Sequence, residues 1–458
     1  MGDWLEQLDW RAYREEAVEL LAELLRIDTS NPPGRETEAA RYLAKVFKRE
    51  GLKGELLEAA PGRGSFLLRL SGRGSGPKLM LLSHTDVVPV ADPSRWDHPP
   101  FSGALADGYI WGRGALDMKC QTITEALTVL LFKRLGLQFS GELVYLAVAD
   151  EERGAKYGAA WLKEHHPERL KVDYVLNEGG GEALQVGGKT FYSIETVEKG
   201  LFWLKVKVKG RSGHGSVPHD ENALVKAAGL IDRLAHHKFP KRIDETVQEF
   251  LTKVLGALGP GGEQLGRALL DPQREVDLGP FLAGTEFALE AINAFIRTTV
   301  SPTMIQAGVK ENVIPDSCEF VLDCRLLPGS AREELLEKLA ELGAELGLKF
   351  ETEVLQYHPA SGSPLGTDLY RAIERALRAE LPGTEPVPLI LTGATDSRFL
   401  RELGALAYGL CPLSTKITLH NRLMMVHGDN ERIDPESLEL QVRVFTRVAA
   451  ELLQARTR

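Results

Sequence analysis

Three apolar segments of the sequence each lead into residue types that bind metal ions. The segments and the residues after them are Leu79–Leu82 with His84 and Asp86, Leu143–Ala149 with Asp150, Glu151 and Glu152, and Tyr174–Leu176 with Glu178. Ligands of open α/β sheets bind beyond the carboxyl ends of the strands, so these side chains can converge on one crevice. A cluster of carboxylates and imidazoles suits a hard or borderline divalent ion such as zinc.

Spacing within these segments suggests separate roles for neighbouring side chains. Asp86 can accept a hydrogen bond from the imidazole nitrogen of His84 that does not face the metal, which would fix the tautomer. Asp86 is therefore expected to orient His84 rather than to bind metal. Glu151 and Glu152 are consecutive, and in extended backbone their side chains point to opposite sides. One can then bind metal while the other faces the substrate as a base.

Each segment also has an ordinary structural explanation. A His-x-Asp pair is more often a surface turn or a buried pair, and an Asp-Glu-Glu triplet is usually a solvated loop. Gly112–Lys119 can be a glycine turn in which Asp117 caps the following helix. The joint occurrence of these segments, in this order along one chain, favours the interpretation as a metal site.

The elements that must position these residues form two patterns. From Arg41 to Glu198 short apolar runs alternate with helical stretches, which predicts βαβ units and a largely parallel sheet. Beyond Gly200 apolar residues alternate with lysine, as in a half-exposed antiparallel strand. The elements predicted there, in the order β-α-β-β-α-β, are strand Leu204–Lys209, helix Asn222–His236, strands Met304–Val309 and Cys318–Leu326, helix Arg332–Leu346 and strand Lys349–Leu355.

The sequence therefore predicts an α/β protein whose catalytic domain is interrupted by a second domain. Residues 1–198 and 359–458 are assigned to the catalytic domain, and residues 199–358 to the inserted β-α-β-β-α-β domain. Within the inserted domain, residues 239–301 form a long extra segment, and its Gly-Pro-Gly-Gly turn at Gly259–Gly262 predicts an appended pair of helices.

Composition excludes several classes of protein. The 458 residues are 43% hydrophobic and 26% charged, without an apolar run long enough to span a membrane, so a soluble protein is expected. A formal charge of −10 argues against a nucleic-acid surface. Met1–Arg26 is predicted to be an acidic amphipathic helix, not a secretory signal. The four cysteines lack CxxC spacing, so neither a disulfide framework nor a thiolate metal site is expected, and the cytoplasm fits.

The motifs together resemble the M20 metallopeptidase family, over nearly the whole chain apart from the extra segment. They are Ser83-His84-Thr85-Asp86-Val87-Val88-Pro89, Trp111-Gly112-Arg113-Gly114-Ala115-Leu116-Asp117-Met118-Lys119, Asp150-Glu151-Glu152, Asn177-Glu178-Gly179-Gly180 and His427-Gly428-Asp429-Asn430-Glu431. The family includes aminoacylases, acetylornithine deacetylase, succinyl-diaminopimelate desuccinylase and glutamate carboxypeptidases. The resemblance implies a mostly parallel zinc-peptidase domain carrying an inserted lid domain.

The resemblance also implies a role for each motif residue. Two divalent metal ions are expected, zinc first and cobalt or manganese as alternatives, with a water between them. The implied ligands are His84 and Glu178 for one ion, Glu152 and His427 for the other, and Asp117 as the bridge. Glu151 would be the general base and then the proton donor to the leaving amine, and Asp86 the residue that orients His84.

Further positions resemble family residues that contact the substrate. His214 matches a histidine that in related enzymes enters a neighbouring subunit's active site and stabilises the oxyanion; alternatively it is a turn residue, or acts within its own chain. Asn312 and Arg325 resemble contacts to the substrate carboxylate, although Arg325 can instead pair with Asp323. Gly393 begins a segment that approaches substrate through its backbone; Ala394 and Thr395 depart from the family's usual residues.

The predicted function is a two-metal hydrolase that cleaves the amide bond of a dipeptide or N-acyl amino acid with a free carboxylate. An acetylornithine or succinyl-diaminopimelate deacylase is the alternative enzyme, and an amino-acid-binding relative without activity is the alternative outside catalysis. A serine hydrolase is disfavoured because the chain lacks a Gly-x-Ser-x-Gly elbow. Expected partners are a small-molecule or short-peptide substrate and a second copy of the chain through the lid, with neither nucleic acid nor membrane.

Overall fold

The computed structural model describes residues 4–276 and 289–457. Its helices are α1 Trp10–Leu25, α2 Glu36–Arg49, α3 Lys119–Arg134, α4 Ala159–His165, α5 Ala223–His236, α6 Glu245–Gly256, α7 Pro260–Leu270, α8 Leu289–Ile296, α9 Arg332–Glu345, α10 Asp368–Glu380, α11 Ser397–Glu402, α12 Leu419–Met425 and α13 Pro435–Leu452. Short 3-10 turns lie at Leu5–Gln7, Pro93–Arg95, Glu151–Arg153 and Pro167–Arg169.

Two large sheets contain most of the strands. The strands are β1 Glu55–Ala60, β2 Arg63–Ser71, β3 Lys78–His84, β4 Ala104–Ala106, β5 Tyr109–Trp111, β6 Glu142–Val148, β7 Tyr174–Asn177, β8 Ala183–Val186, β9 Lys189–Glu198, β10 Gly200–Lys209, β11 Gly213–His214, β12 Thr299–Ala307, β13 Val313–Ile314, β14 Ser317–Leu326, β15 Phe350–His358, β16 Ser361–Gly362, β17 Thr384–Leu391, β18 Leu406–Gly409 and β19 Arg432–Ile433.

The central sheet has the order β1-β2-β6-β3-β7-β18-β9-β16, with β8 and β17 also paired to β9. Its middle strands β6, β3, β7 and β18 run parallel, and β17 runs parallel to β9. Antiparallel pairing is confined to the margins, where β1, β2, β8 and β16 lie, and to the join between β18 and β9. The predicted α/β class with a mostly parallel central sheet is confirmed.

Helices cover both faces of the middle of this sheet, which is why a central strand such as β3 is apolar over most of its length. Along β3, Leu79 and Leu81 join the core formed with α1, α3 and α13. The alternate residues Met80 and Leu82 join a second cluster with α4 and α11 on the opposite face. Successive residues of a strand point to opposite faces, so a strand buried on both sides contains a continuous apolar run.

A second, antiparallel sheet has the order β12-β14-β10-β15. Leu204, Val206 and Val208 of β10 pack with α5 and α9, whereas Lys205 and Lys207 point away from this core. The elements follow in the order β10-α5-β12-β14-α9-β15, which is the β-α-β-β-α-β sequence that the alternation predicts. The assignment of residues 199–358 to a separate inserted domain stays a prediction.

The boundaries of several elements differ from the predicted ones. Strand β12 begins at Thr299, whereas the sequence predicts a start at Met304, after Pro302. Proline is tolerated here because β12 is an edge strand, and the register shifts between Pro302 and Met304. Helix α1 begins at Trp10 instead of at the start of the chain, because Asp9 caps it by accepting the backbone N–H of Ala12 at 3.2 Å.

The extra segment contains the predicted helical pair as α6 and α7, followed by α8; its residues 277–288 lie outside the described part. Val254 and Leu251 of α6 share an apolar cluster with Val387 of β17 and Phe191 of β9. The pair is thus packed on the central sheet. Arg242 also forms an ion pair with Glu334 of α9, with 2.6 Å between Nη2 and Oε1. The segment therefore joins the two sheets.

The structure bears on the expectations about membrane spans and about the cysteines. Among residues 4–276 and 289–457, no helix has the length and apolar character needed to cross a membrane. Cys120, Cys318, Cys324 and Cys411 are buried and free of disulfide bonds.

Candidate active site

The five residues predicted to bind metal lie together beyond the carboxyl end of the central sheet. His84 Nε2 lies 3.1 Å from Asp117 Oδ1 and 3.8 Å from Glu178 Oε2. His427 Nε2 lies 3.2 Å from Asp117 Oδ2 and 3.3 Å from Glu152 Oε2. The two oxygens of Asp117 therefore face different histidines, an arrangement in which one carboxylate can serve two adjacent metal positions.

Different elements bring these five residues to one place. His84 is the last residue of β3, and Glu178 follows the last residue of β7. Glu152 lies in the 3-10 turn after β6, and Asp117 in the loop before α3. His427 follows α12 in left-handed backbone, with a φ of 61°. The expected convergence of strand ends is observed, and two loops that belong to no strand of this sheet complete the cluster.

The cluster fits a pair of divalent cations. Hydrogen bonds to Asp117 and Glu152 raise the pKa of His427 to about 10. Burial, reinforced by the charge of Asp117, raises the pKa of Glu152 to about 7. Burial disfavours protonated His84, yet the carboxylates of Glu178 and Asp117 raise its pKa well above the usual value. Glu152 Oε1 is buried and has no hydrogen-bond partner among the described residues. Together these observations describe a buried excess of carboxylate charge, which a pair of divalent cations would neutralise.

Glu151 lies beside Glu152, but the extended backbone assumed for this pair is wrong. Both residues lie in one 3-10 turn, and Asp150 before them has left-handed backbone with a φ of 67°. The carboxylate of Asp86 accepts the backbone N–H groups of Glu151 at 3.1 Å and of Glu152 at 3.2 Å. Both glutamates line one cavity, so the turn directs two carboxylates toward the same space.

Asp86 therefore contacts more than the histidine that it was expected to orient. His84 Nδ1 lies 3.0 Å from the backbone oxygen of Asp86 and 3.5 Å from its Oδ1. The backbone oxygen is the nearer acceptor for the imidazole N–H, and the carboxylate mainly supports the turn at Glu151 and Glu152. One fully buried residue thus fixes the orientation of a ligand and of the candidate base.

A buried network under this turn escaped the sequence analysis. Asn31 Nδ2 donates to Asp86 at 2.8 Å and to Asp150 at 2.9 Å. Arg63 Nη2 donates to Asp150 at 2.6 Å and to Glu36 at 2.8 Å. Asp150 belongs to the acidic triplet that the sequence marks. Asn31, Glu36 and Arg63 lie far from it in the sequence and belong to no motif.

A second buried network holds the loop that carries Asp117. Glu431 accepts the backbone N–H groups of Leu116 at 2.7 Å and of Asp117 at 3.0 Å, and pairs with Arg113 Nη1 at 2.7 Å. Arg113 Nη2 donates to the backbone oxygen of Gly428 at 2.7 Å. The loops of Asp117 and His427 are thus tied together. Glu431 and Arg113 stand within motifs quoted above, but their spacing did not reveal that they contact each other.

A cavity of about 640 Å³ opens beside the cluster. It is lined by the acidic residues of the cluster, by Gly393 and by Arg398 of α11. Side chains from both sheets also line it, namely Leu201, Trp203, Arg325, Gln356, His358 and Leu391. Arg325 lines this cavity and is also paired with Asp323, at 2.8 Å from Nε and 3.1 Å from Nη2. Its contact with a substrate carboxylate stays a prediction.

His214 and Asn312 do not line this cavity. His214 lies on β11, which pairs with β13, and its imidazole Nδ1 lies 2.7 Å from Ser216 Oγ. The backbone oxygen of Asn312 accepts the N–H of Gly215 at 2.8 Å. The two predicted substrate contacts are therefore exposed neighbours beside the small two-stranded sheet of β11 and β13, outside the cavity of their own chain.

Known proteins resemble this chain over nearly its full length. Residues 80–451 match the family model described as peptidase family M20/M25/M40. The N-fatty-acyl-amino acid synthase/hydrolase PM20D1 of Xenopus tropicalis is 29% identical over 451 residues, covering 94% of this chain and 85% of the relative. Aminoacylase-1 of Sus scrofa is 28% identical over 428 residues, covering 90% of each.

The fold is also shared with a solved structure, the M20 family metallo-carboxypeptidase Sso-CP2 from Sulfolobus solfataricus. The two chains superpose with a TM-score of 0.70 at 20% sequence identity, over 96% of this chain and 99% of the other. At this identity the likeness concerns the arrangement of helices and strands.

Replacement of Glu431 by Gln should destabilise the protein strongly. The new amide would lack the charge facing Arg113 and one of the oxygens that accept backbone N–H groups, and breaking a buried pair costs about 3 kcal/mol. The free energy of unfolding, measured with denaturant, checks this. Asp429→Asn is the matched control: it removes an ion pair with the exposed Arg95, so less than about 1 kcal/mol should be lost. Equal losses in the two variants would contradict the role given to Glu431.

Proposed function

Because the chain belongs to the peptidase family M20/M25/M40 and is therefore a metal-dependent hydrolase, we propose that it uses two metal ions to cleave the amide bond of an N-acyl amino acid or dipeptide with a free carboxylate. The observation that carries this proposal is the position of Asp117 between His84 and His427, with Glu151 facing the adjoining cavity. A metal cluster is suited to hydrolysis when an open cavity lies beside it and a carboxylate that is not a ligand faces this cavity. Glu151 is that carboxylate here.

In the proposed site His84 and Glu178 would hold one ion, Glu152 and His427 would hold the other, and Asp117 would be shared between them. Zinc suits these nitrogen and carboxylate ligands, and cobalt or manganese would also fit. When bound, such ions make water more acidic and stabilise negative charge that develops on the substrate oxygen. Asp86 maintains the geometry by holding His84 and the turn of Glu151 and Glu152.

Glu151 is the proposed general base. Burial and the neighbouring charge of Glu178 raise the pKa of Glu151 well above its usual range, so its carboxylate readily accepts a proton. It can take a proton from the attacking water and then donate it to the leaving amine nitrogen. A relative that only binds amino acids would have no use for a base so placed, and this favours the enzyme over the non-catalytic alternative.

An N-acyl amino acid is the first choice of substrate. The names of the relatives from Xenopus tropicalis and Sus scrofa both refer to acylated amino acids or their hydrolysis. The cavity can receive such a molecule, because Leu201, Trp203 and Leu391 offer apolar surface and Arg325 offers positive charge. The backbone of Gly393 is a further proposed contact. Dipeptides, and the acetylornithine and succinyl-diaminopimelate deacylase reactions, are the alternatives that a substrate panel separates.

We also propose that the protein is a homodimer through the second sheet, which acts as a lid. The edge strand β12 exposes Met304 and Ile305, which a second copy could cover. His214 and Asn312, exposed and outside the cavity of their own chain, would then complete the site of the other copy. A cytoplasmic protein that contacts neither nucleic acid nor membrane fits the formal charge of −10.

Hydrolysis should depend on metal and favour acylated amino acids. The chelated protein should lose activity toward a panel of N-acyl amino acids and dipeptides, and zinc, cobalt or manganese should restore it, because the ligand cluster is incomplete as a catalyst by itself. Release of free amine measures the rates. Rates that are unchanged by chelation would refute the two-metal proposal, and a fast deacylation of acetylornithine or succinyl-diaminopimelate alone would favour the alternative reactions.

Glu151→Gln should abolish turnover and leave the metal content near two ions per chain. The amide cannot accept the proton from water, and loss of general base catalysis typically costs about 100- to 10,000-fold in rate. Plasma emission spectroscopy measures the metal. Glu152→Gln is the matched control from the same turn, and it should lower metal content as well as rate, because Glu152 is a proposed ligand. A Glu151→Gln protein with near-normal turnover would rule out this base.

Mixing two inactive variants should restore activity if His214 acts across the dimer. In a mixed dimer of His214→Ala and Glu151→Gln subunits, one site has an intact Glu151 and receives the partner subunit's His214. Since half of randomly formed dimers are mixed and half of their sites are complete, about a quarter of the normal rate should return. Native mass spectrometry, which separates the mixed dimer from the two homodimers, verifies the mixing. Absence of recovery in a verified mixed dimer would place His214 in its own chain's site, and a His214→Ala protein that is active by itself would place His214 outside the reaction.

A further inference from the structure

Lys199 is a buried lysine at the point where the chain passes from the central sheet to the second sheet. It is the single residue between β9 and β10, and only 1% of its surface is exposed. Its backbone N–H donates to the oxygen of Leu391, the last residue of β17, at 3.0 Å. The side chain of Lys199 therefore starts from backbone that is bonded to the central sheet.

The amino group of Lys199 reaches across the end of the strand that carries Arg325. Its Nζ donates to the backbone oxygens of Arg297 at 2.8 Å and Ala294 at 3.0 Å, and to Thr299 Oγ1 at 3.3 Å. Thr299 begins β12 and lies opposite Arg325 in the pairing of β12 with β14. Lys199 itself precedes β10, which flanks β14 on the other side. One side chain thus joins the two strands between which Arg325 lies.

This position is electrostatically unfavourable for a lysine. The three acceptors of Nζ are uncharged, and burial followed by the positive charge of Arg325 lowers the pKa of Lys199 to about 7. The carboxylate of Asp323, also on β14, acts in the opposite direction. A buried ammonium costs free energy that an apolar side chain would not cost. Lys199 is therefore a candidate for a role other than packing.

We propose that Lys199 is a positioning residue for Arg325, because it ties β10 to the start of β12 and so fixes the guanidinium relative to the metal cluster. This inference rests on the proposed function and on the predicted contact of Arg325 with the substrate carboxylate. Asp323 occupies the edge of Arg325 formed by Nε and Nη2, which leaves the edge of Nη1 and Nη2 for a ligand. Paired hydrogen bonds from one edge require a narrow geometry, so a small shift of β14 would weaken them.

Ligand binding to a protein that cannot turn over the ligand tests this inference. Calorimetry with the zinc-loaded Glu151→Gln protein would give the Kd of N-acetyl-L-leucine and of N-acetyl-L-leucinamide, which lacks the carboxylate. The carboxylate should bind about 10- to 100-fold more tightly, as expected for charged hydrogen bonds. Adding Lys199→Met should lower this ratio by about three- to tenfold, because Arg325 loses its fixed place.

Lys241→Met is the matched control for a loss of stability alone. Lys241 is also buried, and its Nζ donates to the backbone oxygens of Leu269 at 3.3 Å, of Asp271 at 3.1 Å and of Arg274. These acceptors lie in and after α7 instead of beside β14. Both lysine variants should lower the free energy of unfolding, but Lys241→Met should keep the ratio of the two Kd values. An equal fall of the ratio in both variants would overturn the inference.

Thr299→Val covers the case in which Lys199→Met fails to fold. Valine is similar in size to threonine but cannot accept the bond from Lys199, so the ratio should fall by about twofold or more. An unchanged ratio in Thr299→Val and in any folded Lys199→Met protein would overturn the inference, as would a ratio close to one before either substitution. Failure of the proposed function is recognised separately, since the wild-type protein would then hydrolyse no member of the substrate panel.

Discussion

Asp117, Glu151, Glu152 and Glu178 bring four carboxyl groups into one partly buried space at the end of the central sheet. Like charges at such separations repel one another, and burial strengthens the repulsion because little water screens it. The effect is visible in the protonation of the neighbouring groups, including the raised pKa of Glu152. The site can therefore persist only where positive charge is supplied and where the surrounding backbone resists being pushed apart.

The backbone is restrained by polar residues that do not reach the substrate. Glu431 secures the loop of Asp117, and Asp86 with Asp150 secures the turn of Glu151 and Glu152. Each of these carboxylates is buried and accepts several hydrogen bonds, which replace the hydrogen bonds to water that burial removes. The residues that would perform the reaction thus depend on a second set of acids, which are stabilised by backbone N–H groups and by buried arginine.

The sequence alone predicted the elements whose residues alternate regularly and the site residues that follow the ends of strands. Alternation of Leu204, Val206 and Val208 with lysine identified the second sheet, and the ends of three apolar runs marked the ligand cluster. What could not be predicted depends on contacts between distant residues, such as the bonds of Asn31 to Asp86 and Asp150.

The network around Asp150 has a consequence for how the protein can be divided. The family match begins at residue 80, yet Asn31, Glu36 and Arg63 lie before it and hold the turn that carries Glu151. A fragment cut at the limits of the recognised region would retain every proposed ligand and the base. It would still lack the clamp beneath the base, so the edge of sequence similarity and the edge of the working unit do not coincide.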